Sequence, residues 1–291
     1  MEINAILNEG FERWLKTLGY AESTVYVSSN YIRDFFFYLN KTEIKELEQI
    51  QPNTINAYHN HLQNRKNKRQ TGGLSQNYIT SNINALKRFN KYLQETGRPF
   101  FEVSTKTAAE KANTKTILTQ TEIQALYKVC SNDILGIRDR VMLSVFYGCG
   151  LRRSEGLALD IDDILLKEKL LHVRKGKGYK ERYVPMTETI KEDLENYIYV
   201  ARMKIQSFKP EKCQALFLSI RAKRLCGNAL IERTHKLARE ANLQKDIGLH
   251  TLRHSIATHL LQSGMELEEV SRFLGHSSLE STQIYTHVSQ E

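Results

Sequence analysis

Cysteine is sparse and scattered. The 291 residues hold four, Cys130, Cys149, Cys213 and Cys226, far apart and in neither metal-ligand nor disulfide spacing. Each lies in an apolar or mixed run, so reduced, buried thiols are expected and a disulfide-stapled secreted scaffold is excluded. No run approaches the ~18 apolar residues that span a membrane. The opening Met1-Glu2-Ile3-Asn4 has no basic stretch followed by an apolar core, so it does not read as a secretory signal. A cytoplasmic protein is therefore expected. Walker-type glycine loops are missing, as are tight carboxylate clusters suited to Mg²⁺. Neither ATP, nor a metal, nor another cofactor is expected. No internal repeat or low-complexity segment stands out.

What the chain does have is positive charge. The net charge is +9 and the pI is near 9.2, which favours a polyanionic partner. Charged residues are 26% and hydrophobic ones 41%, ordinary for a globular protein. The length suggests two domains, each with chain enough for a sizeable core.

Residues 1–102 read as an all-helical domain. Ser23 is placed to cap a helix with Val25, Ile32, Phe36 and Leu39 inward. Pro52 opens a short helix with Ile55, Tyr58 and Leu62. Ser75 caps a longer one with Ile79, Ile83, Leu86 and Leu93 after the Gly72-Gly73 turn. Residues 1–50 carry 5 Lys/Arg against 8 Asp/Glu, whereas residues 51–100 carry 8 against 1. Arg65, Lys66, Lys68 and Arg69 form one basic cluster, and Lys87, Arg88 and Lys91 another. Two clusters in one helical domain fit a surface laid along a phosphate backbone, although a basic run alone is more often a solvated face.

Residues 103–116 turn to Thr, Lys, Ala and Glu and read as a linker. The second domain, 117–291, begins with a helix start at Thr119-Gln120-Thr121-Glu122. An apolar helix over 136–147 ends at Gly148-Cys149-Gly150, before Leu151-Arg152-Arg153-Ser154-Glu155. Adjacent arginines on a helix point roughly 100° apart, so at most one of Arg152 and Arg153 faces a given site. Glu155 follows Arg152 by three and can brace it. The one clear strand pair is a β-hairpin: Leu170–Arg174 alternates, Gly176-Lys177-Gly178 turns, and Arg182-Tyr183-Val184-Pro185 returns. Helices resume at 188–204 and 228–241.

The stretch from Leu249 to His287 is the densest in chemistry-bearing residues. His250 and Arg253 share a helix face at the helix start, bordering an apolar stripe of Leu252, Ile256 and Leu260. Arginine beside a helix N-terminus is unfavourable unless an anion docks there. Arginine binds phosphate bidentately, which makes phosphate the first candidate. His276 and Tyr285 follow.

Five motifs, in order, resemble the tyrosine recombinases, or phage-integrase family, and within it the Xer-like members. They are Gly150–Glu155, Gly176-Lys177-Gly178, His250-Thr251-Leu252-Arg253-His254, Leu274-Gly275-His276 and Gln283-Ile284-Tyr285-Thr286-His287. The resemblance implies a mostly α protein with a small antiparallel β-sheet, built as an all-helical, SAM-like N-terminal DNA-binding domain and a catalytic domain. It also implies a catalytic hexad, which falls on Arg152, Lys177, His250, Arg253, His276 and Tyr285. Tyr285 is then the nucleophile, linked to the 3′ phosphate. A phenol with a pKa of about 10 needs a positive site or a base to ionise. Arg152 and Arg253 would neutralise the non-bridging oxygens, His250 and His276 would donate to them or shuttle the phenolic proton, and Lys177 would protonate the leaving 5′ oxygen.

The implied function is site-specific recombination of double-stranded DNA through a Holliday junction, as in Xer-like resolution of chromosome or plasmid dimers. The expected assembly is a homotetramer, or a heterotetramer with a second recombinase, formed on paired sites in association with the bacterial nucleoid. A small mobile-element integrase or DNA invertase is the alternative, ahead of a type IB topoisomerase or a non-catalytic DNA-binding protein. Only six residues follow Tyr285, with Val288 the sole aliphatic anchor, so a monomer is expected away from DNA.

Overall fold

A computed structural model of the chain describes residues 2–67, 71–103, 116–174, 181–209 and 211–275. The chain divides into two compact units, 1–112 and 113–291. All but the ends of the expected linker lie outside the described residues.

The first unit packs α1 (Glu2–Thr17), α2 (Glu22–Lys41), α3 (Pro52–Asn64) and α4 (Gln76–Glu95). Each helix buries one stripe: Leu7, Phe11 and Leu15 from α1, Ile32, Phe35 and Phe36 from α2, Ile55, Tyr58 and Leu62 from α3, and Ile83, Leu86 and Phe89 from α4. Phe89 is the hub, edge-on to Phe11 at 5.3 Å and to Phe36 at 5.6 Å. Pro52 takes the first position of α3, where a missing N–H costs nothing. Ser75 caps α4, its Oγ accepting from the Tyr78 N–H at 3.2 Å. Ser23 does not cap α2. The left-handed turn at Gly19 delivers the chain into the helix at Glu22, so the N-cap is Ala21 and Ser23 sits inside the first turn.

The second unit is helical around one small sheet. Thr119 and Glu122 form the expected capping box at the start of α5 (Gln120–Lys128). Asp133 caps α6 (Ile134–Leu143), which runs on through a π-helical turn, Ser144–Gly148. After α7 (Arg153–Ala158) come β1 (Ile164–Leu165), β2 (Leu170–Val173) and β3 (Arg182–Pro185), antiparallel in the order β1-β2-β3. Leu171 faces Val184 and His172 faces Tyr183. The expected hairpin therefore forms, but its Gly176–Gly178 tip lies outside the described residues. The extra strand, β1, is two residues long, too short for alternation to register. Then follow α8 (Glu188–Asn196), a π-helical stretch leading into α9 (Met203–Gln206), α10 (Gly227–Glu240), α11 (Leu249–Gln262) and α12 (Leu267–Leu274).

Val145, Phe146, Leu171, Val184, Leu194, Tyr197 and Leu252 belong to the core of this unit. A partly buried ion pair joins two of its helices: Asp139 of α6 accepts from Arg233 of α10 at 3.1 Å, and the neighbouring Arg138 donates to the Leu218 carbonyl at 2.9 Å. Such charges are tolerated inside only when paired in this way. Among the described residues no helix is long and apolar enough to cross a membrane.

Candidate active site

The turn that ends the π-helical segment places Arg152. Gly150 adopts φ +60, and a Cβ there would lie 2.9 Å from Leu274 Cδ2, so the turn needs glycine both for its backbone and for its close approach to α12. Arg152 is the N-cap of α7. Its backbone N–H donates to Glu155 Oε2 and its Nη1 to Glu155 Oε1, each at 2.8 Å. Glu155 thus caps the helix, meets the positive end of its dipole and braces the arginine at once. Arg153, the first residue of α7, is exposed, with its stem passing Gly227.

Arg253 approaches from α11. It is only 3% exposed. Its Nη1 donates to the Gly150 carbonyl and its Nη2 to the Leu274 carbonyl at 2.7 Å. The same Nη1 stands 3.9 Å from Glu155 Oε2. Arg253 therefore lies within the buried face of α11 rather than at its border. That face is Leu249, Leu252, Arg253, Ser255 and Ala257, while Ile256 and Leu260 are half-buried. The stripe is displaced because the Gly150 turn and α12 cover one flank, and residue 118 covers the other through a bond from its N–H to Ser255 Oγ at 2.9 Å.

A third arginine enters from β3. Arg182 Nη1 and Nη2 donate to the two Glu155 oxygens at 3.1 and 3.0 Å, and its Nε donates to the Phe273 carbonyl at 3.2 Å. Arg152 Nη2 donates to the Gly275 carbonyl at 3.0 Å. The successive carbonyls of Phe273, Leu274 and Gly275 thus each accept from a different arginine. These are the unsatisfied acceptors that end α12, where the helix dipole is negative. Glu155 closes the other side. Burial works to raise its pKa, but the hydrogen bonds and charges of Arg182 and Arg152 outweigh that and hold it down, to about 2. Three guanidinium groups around one carboxylate leave two positive charges uncompensated. The side chains of Arg253 and Arg182 are 4% and 11% exposed, against 17% for Arg152, which makes Arg152 the most open to a docking anion.

The model of the phage integrase family matches residues 116–291, and that of the phage integrase N-terminal SAM-like domain matches 7–98. The chain belongs to the phage integrase family. It is a Xer-like tyrosine recombinase, in a family of enzymes that break and rejoin DNA. It is 42% identical to the tyrosine recombinase XerD of Staphylococcus epidermidis over 155 residues, 53% of this chain and 52% of that one. That match spans about half the length of the relative. With the tyrosine recombinase XerC of Anoxybacillus flavithermus it shares 30% identity over 99% of this chain and 95% of the other. A crystal structure of the XerH site-specific recombinase bound to palindromic difH substrate has the same fold, with a TM-score of 0.70 at 22% identity, covering 91% of this chain and 76% of that one.

Of the hexad expected in this recombinase, Arg152 and Arg253 meet at Glu155. His250, at the second position of α11, is exposed. Partial desolvation, then the charges of Arg253, Arg153 and Arg152, hold its pKa below the ordinary histidine value, so the ring is neutral at pH 7. Lys177, His276 and Tyr285 lie outside the described residues, as do Lys68 and Arg69. In the N-terminal unit Lys66, Lys87 and Lys91 are exposed and Arg88 lies over the Tyr20 ring at 5.8 Å. Arg65 is engaged internally: its Nη1 donates to both Asp34 oxygens at 2.9 and 2.8 Å, and its Nη2 to the Tyr78 hydroxyl at 3.2 Å. Arg182 escaped the sequence reading. The available signal was an arginine on the same strand face as the buried Val184, a charge that must find a partner inside.

Gly275 tests how tightly this arrangement is packed. It ends α12 at φ +65, and a Cβ there would lie 2.8 Å from Arg182 Cζ and Nη1. Gly264 has φ +90 but nothing within 4 Å. Gly264→Ala is expected to cost about 1–2 kcal/mol in backbone strain alone. Gly275→Ala should cost about 1–3 kcal/mol more, because Arg182 must leave the buried Glu155. Chemical denaturation of the two variants checks this, and equal losses would contradict the packing described.

Proposed function

We propose that this recombinase cuts and rejoins double-stranded DNA at a specific site through a 3′-phosphotyrosine on Tyr285. The observation that carries the reading is the surplus of two positive charges where Arg152, Arg182 and Arg253 converge on Glu155 and the end of α12. A phosphodiester brings one negative charge and gains a second as its transition state forms, so such a site favours the transition state over the ground state. The Tyr285 oxygen attacks phosphorus, the P–O5′ bond breaks, and the leaving oxygen takes its proton from Lys177. His250, neutral in the free protein, is suited to accept or relay the phenolic proton, and His276 to donate to a non-bridging oxygen. One ester replaces another, so a 5′ hydroxyl of a second duplex reverses the step and yields a Holliday junction.

The SAM-like match and the net charge of +7 over residues 51–100 support a DNA clamp formed by residues 1–102, with Lys66, Lys87, Arg88 and Lys91 among its phosphate contacts and Lys68 and Arg69 beside them. Similarity to proteins named XerC and XerD supports chromosome or plasmid dimer resolution at the nucleoid. It also supports a tetramer on paired sites, either of this chain or with a second recombinase. The binding site is to be found by sequencing the DNA that Tyr285→Phe protein, able to bind but not to cut, traps from a random-sequence duplex library. On a nicked duplex carrying it, wild type should form a covalent adduct in EDTA as well as in Mg²⁺, since side-chain cations do the work assigned elsewhere to metals. Tyr285→Phe should bind the same duplex and form none. An adduct with Tyr285→Phe, or one lost on chelation and restored by Mg²⁺, would overturn the mechanism.

A further inference from the structure

Beyond its share of the charge surplus, Arg182 takes no step in the chemistry described above, yet its contacts join the groups that do. It donates to both oxygens of Glu155, the carboxylate that orients Arg152 through two further bonds. Its Nε holds the Phe273 carbonyl, one residue before the carbonyl that accepts from Arg253 and two before the one that accepts from Arg152. The β3 backbone fixes the root of the side chain, and Val184 on the same strand face is fully buried. The side chain is thus anchored at both ends. A lysine could keep the charge there, but its single nitrogen cannot span two carboxylate oxygens and a carbonyl in one plane.

We propose that Arg182 is a positioning residue for strand cleavage: by holding Glu155 and the end of α12 together, it sets the separation and aim of Arg152 and Arg253 on the scissile phosphate. It touches neither DNA nor the reacting atoms. It acts by fixing the acceptors between which both catalytic guanidinium groups are held, so that they need not reorganise as charge develops. A displacement of Arg152 by a fraction of an ångström would weaken its bond to a non-bridging oxygen while leaving its charge, and hence DNA affinity, nearly intact. The proposal rests on the recombinase reading above.

The test compares wild type, Arg182→Lys and Arg182→Ala as full-length chains. The probe is a nicked duplex carrying the trapped site, with either an ordinary phosphate or a methylphosphonate at the scissile position. Single-turnover adduct formation and DNA affinity are measured for each. Methylphosphonate removes the charge that the two arginines neutralise, so the ratio of the phosphate to the methylphosphonate rate reports how well they engage it. Arg182→Lys should bind DNA within twofold of wild type, cleave the phosphate at least tenfold more slowly, and lower the rate ratio by a similar factor. Arg182→Ala should move both further in the same direction. Should alanine unfold the protein, the lysine variant decides alone. Cleavage at the wild-type rate would overturn the proposal. So would slower cleavage with an unchanged ratio, since that marks a merely structural loss. Failure of the recombinase reading is separate: wild type would then form no adduct. In that case the environment of Arg152 Nε–H, read by NMR in DNA-free protein, still decides whether Arg182 positions it, and an unchanged resonance in Arg182→Lys would count against it.

Discussion

Glu155→Gln is expected to lower the thermal midpoint of the catalytic unit by roughly 10 °C and to slow DNA cleavage about a hundredfold or more. Glu155 is buried and opposes three arginines, so neutralising it leaves their charge without its counterweight. Removing one partner of a buried pair costs about 3–5 kcal/mol, and a unit of this size loses about 2–4 °C per kcal/mol. The effect depends on pH in a definite direction. The folded pKa, about 2, lies below the ordinary glutamate value of 4.5. A depressed carboxylate pKa gives stability that is present above the unfolded pKa and lost as pH falls through the folded one. The difference corresponds to about 3 kcal/mol. The gap in midpoint between wild type and Glu155→Gln should therefore be constant above pH 4.5 and narrow as pH falls towards 2. The cleavage defect follows from aim: with a neutral amide at its centre the site no longer fixes Arg152, and losing one preorganised donor costs about 10²–10³ in rate. Melts across pH and single-turnover cleavage at pH 7 check both parts. A gap that stays constant to pH 2 would show that Glu155 is not the anion holding the site together.

Arg253→Lys should have the other large effect, a fall in cleavage of about 10³ with DNA affinity reduced less than tenfold. Lysine keeps the charge, so the sequence-independent attraction to phosphate survives. What it loses is the planar fork that bonds the Gly150 and Leu274 carbonyls together. The turn carrying Arg152 and the end of α12 then lose their common support, and the guanidinium is missing from the transition state. A loss seen in cleavage and not in binding marks an interaction made in the transition state, whereas a loss in binding alone marks uniform affinity. An affinity drop that accounted for the whole defect would remove Arg253 from the catalytic site.

Much of this is legible in the residues themselves. The 3.6-residue stripes of α2, α3 and α4 mark helices because the core selects for them, and the caps at Ser75 and Thr119 mark where two of the helices begin. Helix spacing shows that at most one of Arg152 and Arg153 faces a given site and that Glu155 can brace Arg152, since three residues along a helix return to the same face, and the family resemblance singles out Arg152. What could not be read is the site's long-range geometry. Arg182, Phe273 and Gly275 are far from Arg152 in sequence, and the contact between an arginine and a backbone carbonyl leaves no mark on residue type. The same limit explains Arg253. Periodicity counted it as a polar border residue, yet it is buried, because its partners are carbonyls of the Gly150 turn and of α12. The anion inferred at the start of α11 has an internal counterpart in Glu155 and the carbonyls that end α12.

The most direct test of the recombinase reading is the chemical identity of the covalent adduct. Wild-type protein is trapped on the nicked duplex, digested with nuclease and protease, and the modified peptide is sequenced by mass spectrometry. The expected result is a single nucleotide joined through its 3′ phosphate to Tyr285, with a free 5′ hydroxyl on the released strand. An adduct on another residue, a linkage through the 5′ phosphate, or cleavage with no covalent intermediate would contradict it.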